Sequence, residues 1–594
     1  MRLLVDYSKK LHSLGSVFIT FPFRQLYVDL VKSMETKVYY PNEKRWEIPL
    51  DDAPKFIELL EDHNIEFNRK EYKESLELFY NDQNAVIQKV EHNLDTTVLN
   101  RVDFKTKPRD YQKQGIVFGL RNKKCLNADE PGLGKTLQSV NIARLKKNGQ
   151  HCLVICGYAT LQYNWKAEVE KHTNEKAYIL GMRTKPRNKR RYIGTKEDKY
   201  YDLTHLNDIP EFFIITNMTF VREAIMSKYK DKNGKERKSY NYFVAKTINR
   251  LCKEKKIGRI ILDEAQVIKN MTSNQTNAML EITDCEYKNA LTGTPLMNDH
   301  SDLYPILKWL DATEMNYYGF LNKFCIMGGY KNSKIVGNKN NKYLNTMLSN
   351  VMIRRKKNEV LDLPPKIYTN DILVMDMLQD NLYNKVKRML KSDLIKHKGN
   401  KLEILKTISS LRKITCHPLW YDPNGIDVSV KFDKVYELVS DLVANNEKTL
   451  ILSNWVTPYY DLGDYSLQKL LKEFKPLSIT GDDNQEQREN RMNLFQNNPD
   501  YKVLYGTYGA MGVGLTLTSA NNVILLDQAW NKATEEQGID RTYRIGTKKT
   551  VTVHRLICLD TIDEWVAKKV EEKGQVSAQT VDDKDIDELI DNYF

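Results

Sequence analysis

One eight-residue segment, residues 129–136, constrains the fold of this chain more than any other. It reads Asp-Glu-Pro-Gly-Leu-Gly-Lys-Thr, follows the short apolar stretch 125–128 and precedes apolar residues at helical spacing. A strand, a Gly-rich loop and a helix in this order are typical of a P-loop, in which backbone N–H groups and a helix N-terminus surround phosphates. The segment therefore predicts a nucleotide site, and an ordinary Gly-rich turn before a helix is the alternative.

The residue types of this segment predict how ATP is bound. Gly132 and Gly134 belong to the phosphate-binding loop, Lys135 reaches the β- and γ-phosphates, and the Thr136 hydroxyl holds Mg²⁺. The general P-loop pattern begins with Gly, whereas this chain has Asp129 at that position. The segment therefore departs from the general pattern at its first residue.

Two carboxylates follow the apolar stretch 260–262, which predicts a buried strand. A P-loop ATPase needs one acid that holds the Mg²⁺ shell and another that positions the attacking water. Asp263 suits the first role and Glu264 the second, so we predict both as catalytic and Asp263 also as a Mg²⁺ ligand. A solvated turn at the end of a strand is the alternative.

Two further segments contain polar residues near predicted strands. Thr292 and Thr294 follow the predicted strand that ends at residue 291. Hydroxyl groups at the end of a strand can link a nucleotide site to a moving surface. A plain turn, which has the same composition, is the alternative. Gln112 lies before the first strand, where its amide can bind an adenine edge. We therefore assign the two threonines to coupling and Gln112 to ATP binding.

Two arginines of the segment 537–546 predict a second group of phosphate contacts. Arg541 and Arg544 are three residues apart, so we expect them on one helical face. Guanidinium groups bind phosphoryl oxygens through two hydrogen bonds, which suits an arginine finger acting on ATP. A charged surface helix is the alternative.

Composition limits the class of protein. A chain of 594 residues predicts several domains, and 41% hydrophobic residues supply cores. The 91 basic residues exceed the 78 acidic ones, which suits a polyanionic partner, although proteins without such a partner share this balance. The eight cysteines include no Cys-x-x-Cys pair, so we expect buried free thiols in a reducing compartment and no zinc. No apolar run approaches about 18 residues, so we expect a soluble intracellular protein.

Short apolar strands alternate with helical stretches in two regions, which predicts an α/β fold with parallel sheets. The predicted strands are 152–156, 212–216, 259–263 and 289–291 in the first region, and 449–453, 503–506, 523–527 and 551–557 in the second. The predicted domains are an α+β accessory module (1–100), a first lobe (101–310), helical insertions and a linker (311–430), a second lobe (431–575) and an acidic tail (576–594). Basic runs at 185–191 and 228–238 predict solvated loops, with phosphate contact as the alternative.

Together these motifs resemble the Swi/Snf-like DNA translocases of helicase superfamily two, over about residues 100–575. The matching segments are 111–112, 129–136, 263–270, 291–298, 353–356, 411–418, 509–516 and 537–546. The resemblance places Asp129 in the ATP site, since this family has Asp there. It implies two RecA-like lobes that use ATP and Mg²⁺, hydrolysis stimulated by double-stranded DNA, and tracking along one strand, commonly without separating the strands.

The resemblance also implies coupling residues and a branch of the family. The coupling residues are Gln266, Thr292, Thr294, Gly512 and Gln537. Residues 512–516 resemble the annealing-helicase branch, since the wider family has Asn where this chain has Gly514, and residues 39–50 are similar to the HARP module of that branch. Gln266 replaces the usual His of the family, so altered coupling between nucleotide and DNA is expected.

The expected function is a DNA-stimulated ATPase and translocase that remodels DNA structures, such as forks or strands being annealed, or protein–DNA complexes in replication, recombination or repair. Its expected partners are double-stranded or forked DNA and replication or repair proteins, with a monomeric chain and no membrane. The alternatives are a strand-separating helicase, a factor that recycles RNA polymerase, and an inactive helicase-like scaffold. The intact set of Lys135, Glu264 and Arg541 argues against the scaffold.

Overall fold

The computed structural model describes residues 1–7, 15–83, 94–147, 149–159, 161–184, 191–230, 236–293, 299–328, 334–396, 401–511, 516–573 and 588–589. The chain forms two compact units. The first comprises residues 1–129, 138–157 and 175–355, and the second comprises residues 130–137, 158–174 and 356–594.

Strands occur in both units. In chain order they are β1 (Arg2–Tyr7), β2 (Gly15–Thr20), β3 (Val38–Tyr40), β4 (Arg45–Pro49), β5 (Lys124–Asn127), β6 (His151–Cys156), β7 (Ala177–Ile179), β8 (Met182–Thr184), β9 (Arg191–Ile193), β10 (Phe213–Asn217), β11 (Ile225–Lys230), β12 (Glu236–Asn241), β13 (Ile257–Asp263), β14 (Tyr287–Leu291), β15 (Cys325–Gly328), β16 (Lys334–Asn338), β17 (Met352–Ile353), β18 (Lys366–Leu373), β19 (Thr449–Ser453), β20 (Leu477–Ile479), β21 (Val503–Thr507), β22 (Asn522–Leu525) and β23 (Val551–Cys558).

The α-helices connect and cover these strands. In chain order they are α1 (Gln25–Ser33), α2 (Ala53–Asp62), α3 (Arg69–Gln83), α4 (Asp110–Arg121), α5 (Lys135–Leu145), α6 (Leu161–His172), α7 (Lys196–Thr204), α8 (Met218–Val221), α9 (Phe243–Lys253), α10 (Asn274–Leu280), α11 (Tyr304–Trp309), α12 (Tyr317–Phe324), α13 (Asn341–Ser349), α14 (Lys357–Val360), α15 (Met377–Lys396), α16 (Lys401–Cys416), α17 (Pro418–Tyr421), α18 (Val430–Ala444), α19 (Thr457–Tyr460), α20 (Leu467–Leu470), α21 (Gln485–Asn497), α22 (Tyr508–Met511), α23 (Lys532–Ile539) and α24 (Ile562–Lys573).

The first unit is built on a seven-stranded parallel sheet with the strand order β17-β5-β14-β13-β6-β10-β7. Its central strands are almost entirely buried, which explains their continuous runs of Ile, Leu and Val. At the carboxyl edge, Asp263 of β13 pairs in register with Leu291 of β14, which pairs with Asn127 of β5. Polar residues that follow these three strands therefore lie at one edge of the sheet.

The N-terminal part of the first unit is a small α+β module. Its antiparallel sheet has the order β1-β2-β4-β3, and its core includes Leu3, Val17, Ile48 and Phe56. The segment predicted to mix short strands and helices therefore does so.

The second unit is built on a six-stranded parallel sheet with the order β18-β23-β22-β19-β21-β20. Residues 311–430, predicted as helical insertions and a linker, contain helices and also give β17 to the first sheet and β18 to the second. These edge strands lack the long apolar runs of the buried strands, and for that reason the sequence did not indicate them. The exact domain boundaries remain predictions.

The predicted α/β fold with two parallel-sheet lobes is confirmed, and each predicted core strand coincides with an observed one to within about two residues. All eight cysteines are buried and free of disulfides. No helix within the described ranges is long and apolar enough to cross a membrane. Thr294, Gly512, most of the basic run 185–191 and nearly all of the acidic tail lie outside the described residues.

Candidate nucleotide site

The Gly-rich loop has the backbone geometry that its glycines allow. Gly132 and Gly134 have φ angles of +91° and +80°, in the left-handed region that favours glycine. A Cβ atom on Gly132 would lie 3.2 Å from Cγ of Arg544 and 3.5 Å from Cε of Lys357, all within the second unit. The backbone angle therefore favours glycine at position 132, and a Cβ atom there would fit only tightly against Arg544, whereas its contact with Lys357 would be an ordinary one.

The loop leads directly into a helix. Lys135 and Thr136 form the first turn of α5, and both side chains are partly exposed. Backbone N–H groups of a first helical turn lack partners within the helix, and the helix dipole favours an anion there. The two glycines, this helix N-terminus and the nearby cationic side chains together fit a phosphate group.

Lys357 is a buried cation of this part of the second unit. Its Nζ lies 2.7 Å from Oδ1 of Asp540 and donates to the carbonyl oxygen of Tyr543 at 3.0 Å. Its backbone N–H donates to Oε2 of Glu130, in the loop, at 2.8 Å. Burial lowers the pKa of the Lys357 ammonium to about 8, although the Asp540 carboxylate opposes this effect. Lys357 thus connects the Gly-rich loop with the segment that contains the two arginines.

The predicted helical face for Arg541 and Arg544 is wrong, since α23 ends at Ile539 and both arginines lie in the turns that follow. The Thr542 hydroxyl donates to the Ile539 carbonyl, and the Thr547 hydroxyl donates to the Thr542 carbonyl, each at 2.8 Å. These side chains take carbonyl oxygens that a continuing helix would use. The two guanidinium groups therefore need not share a direction.

The two arginines differ in exposure. Arg544 is partly exposed, and its Nε donates to the Asp540 carbonyl at 3.0 Å. Arg541 is only 4% exposed. Gln537 lies on α23 and is partly exposed. Arg544 is therefore the arginine that the structure brings to the Gly-rich loop.

Asp129 is buried in a polar network of the first unit. Its Oδ1 accepts from Nε of Arg355 at 2.9 Å, and its Oδ2 accepts from Nε2 of Gln138 at 3.0 Å. The Asn127 side chain accepts from the Asp129 backbone N–H at 3.1 Å. Both members of the Asp129–Arg355 ion pair are almost fully buried. Asp129 therefore holds the start of the loop, which gives a physical reason for Asp at this position.

The two predicted carboxylates lie at the carboxyl end of β13. Asp263 is the last residue of the strand, and its Oδ1 accepts from the Glu264 backbone N–H at 3.0 Å. Glu264 has a φ angle of +51°, in the left-handed region that a residue with a Cβ rarely adopts. This turn separates the two side chains at the edge of the sheet, and both are partly exposed. Among the described residues, no three or more His, Cys, Asp or Glu side chains come together in a group that could hold a metal ion.

Gln266 connects Glu264 to Thr292. Its Nε2 donates to Oε2 of Glu264 at 2.7 Å, and its Oε1 accepts from the Thr292 hydroxyl at 2.7 Å. Gln266 is 7% exposed and Thr292 is fully buried. Two residues predicted for coupling thus form one hydrogen-bonded chain with the carboxylate predicted to position water.

Gln112 occupies a helix N-terminus. It is buried in the first turn of α4, and its Oε1 accepts from the Arg109 backbone N–H at 2.9 Å. This bond satisfies the backbone N–H of the N-cap residue, which is a structural use of the Gln112 amide besides the predicted contact with ATP.

Sequence reasoning missed three residues of these networks, namely Gln138, Arg355 and Lys357. Arg355 lies in the segment 353–356 that carried the resemblance, but the sequence assigned no role to it. Its partner Asp129 is 226 residues away along the chain. The only available signal was the basic run 354–357 directly after an apolar pair.

The chain was compared with known protein families, curated proteins and solved structures. The family model of the SNF2-related domain matches residues 61–420, and that of the helicase conserved C-terminal domain matches residues 430–546. The putative ATP-dependent helicase/translocase YwqA of Bacillus subtilis is 27% identical over 502 residues, covering 80% of this chain and 49% of that protein. An uncharacterized ATP-dependent helicase of Mycoplasma pneumoniae is 28% identical over 487 residues, covering 80% and 42%. The chain thus spans less than half the length of these relatives.

A solved structure, the Sulfolobus solfataricus SWI2/SNF2 ATPase core in complex with dsDNA, has 25% sequence identity and a TM-score of 0.35. The matched region covers 83% of this chain and 98% of the chain in that solved structure.

The two parallel sheets and the Gly-rich loop before α5 define a class, the α/β proteins with RecA-like lobes and a P-loop. Within this class the chain belongs to the SNF2-related family, because the SNF2-related domain matches more than half of its residues. The family resemblance that the motifs indicated is confirmed, and it supports the predicted enzyme class, a helicase-like ATPase. The comparisons do not confirm the annealing-helicase branch.

Proposed function

We propose that the chain is an ATPase stimulated by double-stranded DNA, and that it moves along DNA to remodel DNA structures or protein–DNA complexes in replication, recombination or repair. Membership of the SNF2-related family supports this proposal, as does similarity to proteins named as ATP-dependent helicases or translocases. The net charge of +13 suits a polyanionic track.

One observation carries the proposal most directly: Arg544 and Lys357 lie beside Gly132 of the P-loop. Phosphoryl transfer is catalysed by positioning and by stabilisation of charge on the transferring group, so cations around a phosphate loop are what the reaction requires. We assign phosphate binding to the loop and Lys135, and stabilisation of developing charge to Arg544. Arg541, which is buried, is assigned to holding this segment.

The acidic residues complete the proposed assignment. Thr136 and Asp263 would hold Mg²⁺, which would lower the charge of the phosphates, and we assign the orientation of the attacking water to Glu264. The hydrogen bond from Gln266 fixes the Glu264 carboxylate, which supports this role. Asp129 holds the start of the loop in place. Both of its carboxylate oxygens accept hydrogen bonds from protein groups, so we do not assign it a direct contact with ATP.

The experiment compares ATP hydrolysis with duplex DNA, single-stranded DNA, forked DNA, RNA and no nucleic acid. We expect duplex and forked DNA to stimulate the wild-type chain most. Lys135→Ala should abolish productive turnover, whereas Glu264→Gln should bind ATP and hydrolyse it poorly. Arg544→Ala should lower turnover by roughly 10³-fold, the lower end for an arginine finger, with unchanged melting.

Two results would contradict the proposal. Parental turnover in Glu264→Gln would remove the water-positioning role from this carboxylate. An absence of stimulation by any DNA in the wild-type chain would exclude a DNA-dependent ATPase, whatever the variants do.

We further propose that the N-terminal module directs the chain to forked DNA, as in the annealing-helicase branch. The rings of Tyr39 and Trp46 are 4.8 Å apart, and Tyr39 is 44% exposed, so an aromatic face is open to an unpaired base. The exposed Lys44 follows nearby in the chain and can contact a phosphate.

A further inference from the structure

A two-stranded hairpin of the first unit, formed by β11 and β12, belongs to neither large sheet. The antiparallel pairing runs from Ile225 opposite Asn241 to Lys230 opposite Glu236. Residues 225–229 and all of β12 are exposed. The basic run 228–238 falls on this hairpin, and none of the residues proposed to act on ATP does.

The base of the hairpin is anchored while its strands are open to solvent. Tyr242, directly after β12, is 4% exposed, and its hydroxyl donates to Oδ1 of Asn274 at 3.0 Å. Lys246 of α9 donates to Oδ1 of Asn241 at 3.0 Å. A two-stranded hairpin is only marginally stable in water. This hairpin therefore presents an exposed ribbon from a fixed base, which suits a surface that is covered by a partner.

The charges of the ribbon indicate that this partner is negatively charged. Lys228 is directly opposite Lys238, and like charges in this position destabilise a pair of strands. An anion bound by both ammonium groups removes that repulsion. The Glu236 carboxylate is 4.0 Å from Lys228 Nζ, but both side chains are more than 60% exposed, so solvent screens this contact.

The shape of the ribbon and its other side chains indicate which kind of anionic partner it fits. The pair Met226 and Tyr240 precedes the lysine pair on the same face, while Arg237 and Tyr229 form a pair on the opposite face. The major groove of DNA admits a two-stranded ribbon, and a ribbon with both faces exposed can meet both walls of the groove.

We propose that the β11–β12 hairpin is a DNA-binding element separate from the residues proposed to act on ATP, and that it lies against a groove of duplex DNA with Lys228 and Lys238 on phosphates. This inference rests on the proposed action on DNA. It adds a contact outside the ATP site that holds the track regardless of its base sequence, because phosphates carry no sequence information.

The test uses the full chain with the double variant Lys228→Gln/Lys238→Gln and the matched control Lys469→Gln/Lys472→Gln, whose lysines are exposed in the second unit. Duplex affinity is measured between about 50 and 200 mM salt, with ATP hydrolysis in the absence of DNA as a check. Each lost phosphate contact lowers the salt slope by about 0.9. The loss of affinity over this range should therefore become roughly tenfold smaller in the hairpin variant, and the control should match the wild type.

Hydrogen exchange gives a second readout that does not depend on substitution. We expect duplex DNA to slow exchange of the backbone amides of β11 and β12. An unchanged salt slope together with unprotected strands, in a chain whose ATP hydrolysis DNA still stimulates, would overturn this inference alone. A hairpin variant that binds duplex DNA as the wild type does, but no longer binds an acidic peptide, would overturn the inference in favour of a protein partner. If DNA did not stimulate ATP hydrolysis by the wild-type chain at all, that result would contradict the proposed function itself.

Discussion

At the scale of single residues, Gln266 shows how one side chain can link two sites. An amide donates from one end and accepts at the other, so Gln266 can hold the Glu264 carboxylate and the Thr292 hydroxyl at once. A neutral His can also donate and accept, but it becomes a double donor when protonated. The Gln of this chain therefore keeps the connection while removing a titratable group.

Substitution of Gln266 tests this connection. Gln266→Leu breaks both hydrogen bonds and should lower DNA-stimulated ATP hydrolysis roughly ten- to hundredfold, as loss of a supporting hydrogen bond typically does. Gln266→His should retain most activity at pH 8 and lose it as the pH falls below about 6.5, where a protonated ring no longer accepts from Thr292. The measurement is turnover against pH for the wild type and both variants; equal profiles for Gln266→His and the wild type would contradict it.

Lys357 predicts a dependence of stability on pH. Its pKa is lowered from 10.5 to about 8 by burial, and it faces Asp540, Lys366 and Arg544. Between pH 8 and 10.5 the unfolded chain binds more protons at this residue than the folded chain, so folding becomes more favourable as pH rises. Below pH 8 the full cost of the buried charge is present.

We therefore expect the melting temperature of the wild type to rise relative to Lys357→Met as the pH rises from 8 towards 10.5. Lys366→Met is the matched control, because the nearby carboxylates raise the pKa of Lys366 although burial opposes them, so its contribution persists up to pH 10.5. A flat difference between wild type and Lys357→Met would show that the ammonium is not desolvated.

At the scale of elements, helix α13 begins without a side-chain cap of its own. Its N-cap Asn340 makes no capping hydrogen bond, and Asp82 of α3 supplies one from 259 residues away. The Asp82 carboxylate accepts from the backbone N–H groups of Asn341 at 3.2 Å and Lys342 at 3.1 Å. This contact fixes the N-terminal module within the first unit.

Asp82→Ala should remove that cap and destabilise the first unit by about 0.5–2 kcal/mol. Hydrogen exchange of the amides of α13 should accelerate more than that of the large sheet. Glu77→Ala, an exposed acid on the same helix, is the control and should leave both unchanged. Equal exchange in α13 for the wild type and Asp82→Ala would mean that the cap contributes nothing.

At the scale of the whole molecule, the N-terminal module lies outside the residues proposed to act on ATP. A preference for forks that resides in the module should therefore be separable from hydrolysis itself. Tyr39 and Lys44 are the exposed aromatic and basic residues of the segment that resembles the HARP module.

We expect Tyr39→Ala/Lys44→Gln to keep stimulation by linear duplex DNA and to lose any additional stimulation by forks. The control Tyr80→Ala/Lys70→Gln changes the same residue types on the exposed side of α3 in the same module. Hydrolysis on forked and linear DNA gives the ratio for each chain. An unchanged ratio in the Tyr39 variant would leave this part of the module with a structural role.

The sequence by itself determined the parallel strands, the left-handed glycines of the P-loop and the acidic end of β13. These features are local: a buried parallel strand needs a continuous apolar run, and the loop needs residues without a Cβ. The end of α23 was missed because threonine hydroxyl groups compete for its carbonyls.

Only the tertiary structure decided which distant side chains meet. Asp129 reads as a departure from the P-loop pattern until Arg355 is placed against it, and Asp82 reads as a surface acid until it caps α13. Such pairs have no fixed spacing along the chain, because the packing of sheets and helices sets them. A buried ion pair or a long-range cap is therefore a property of the fold, whereas a phosphate loop is a property of eight consecutive residues.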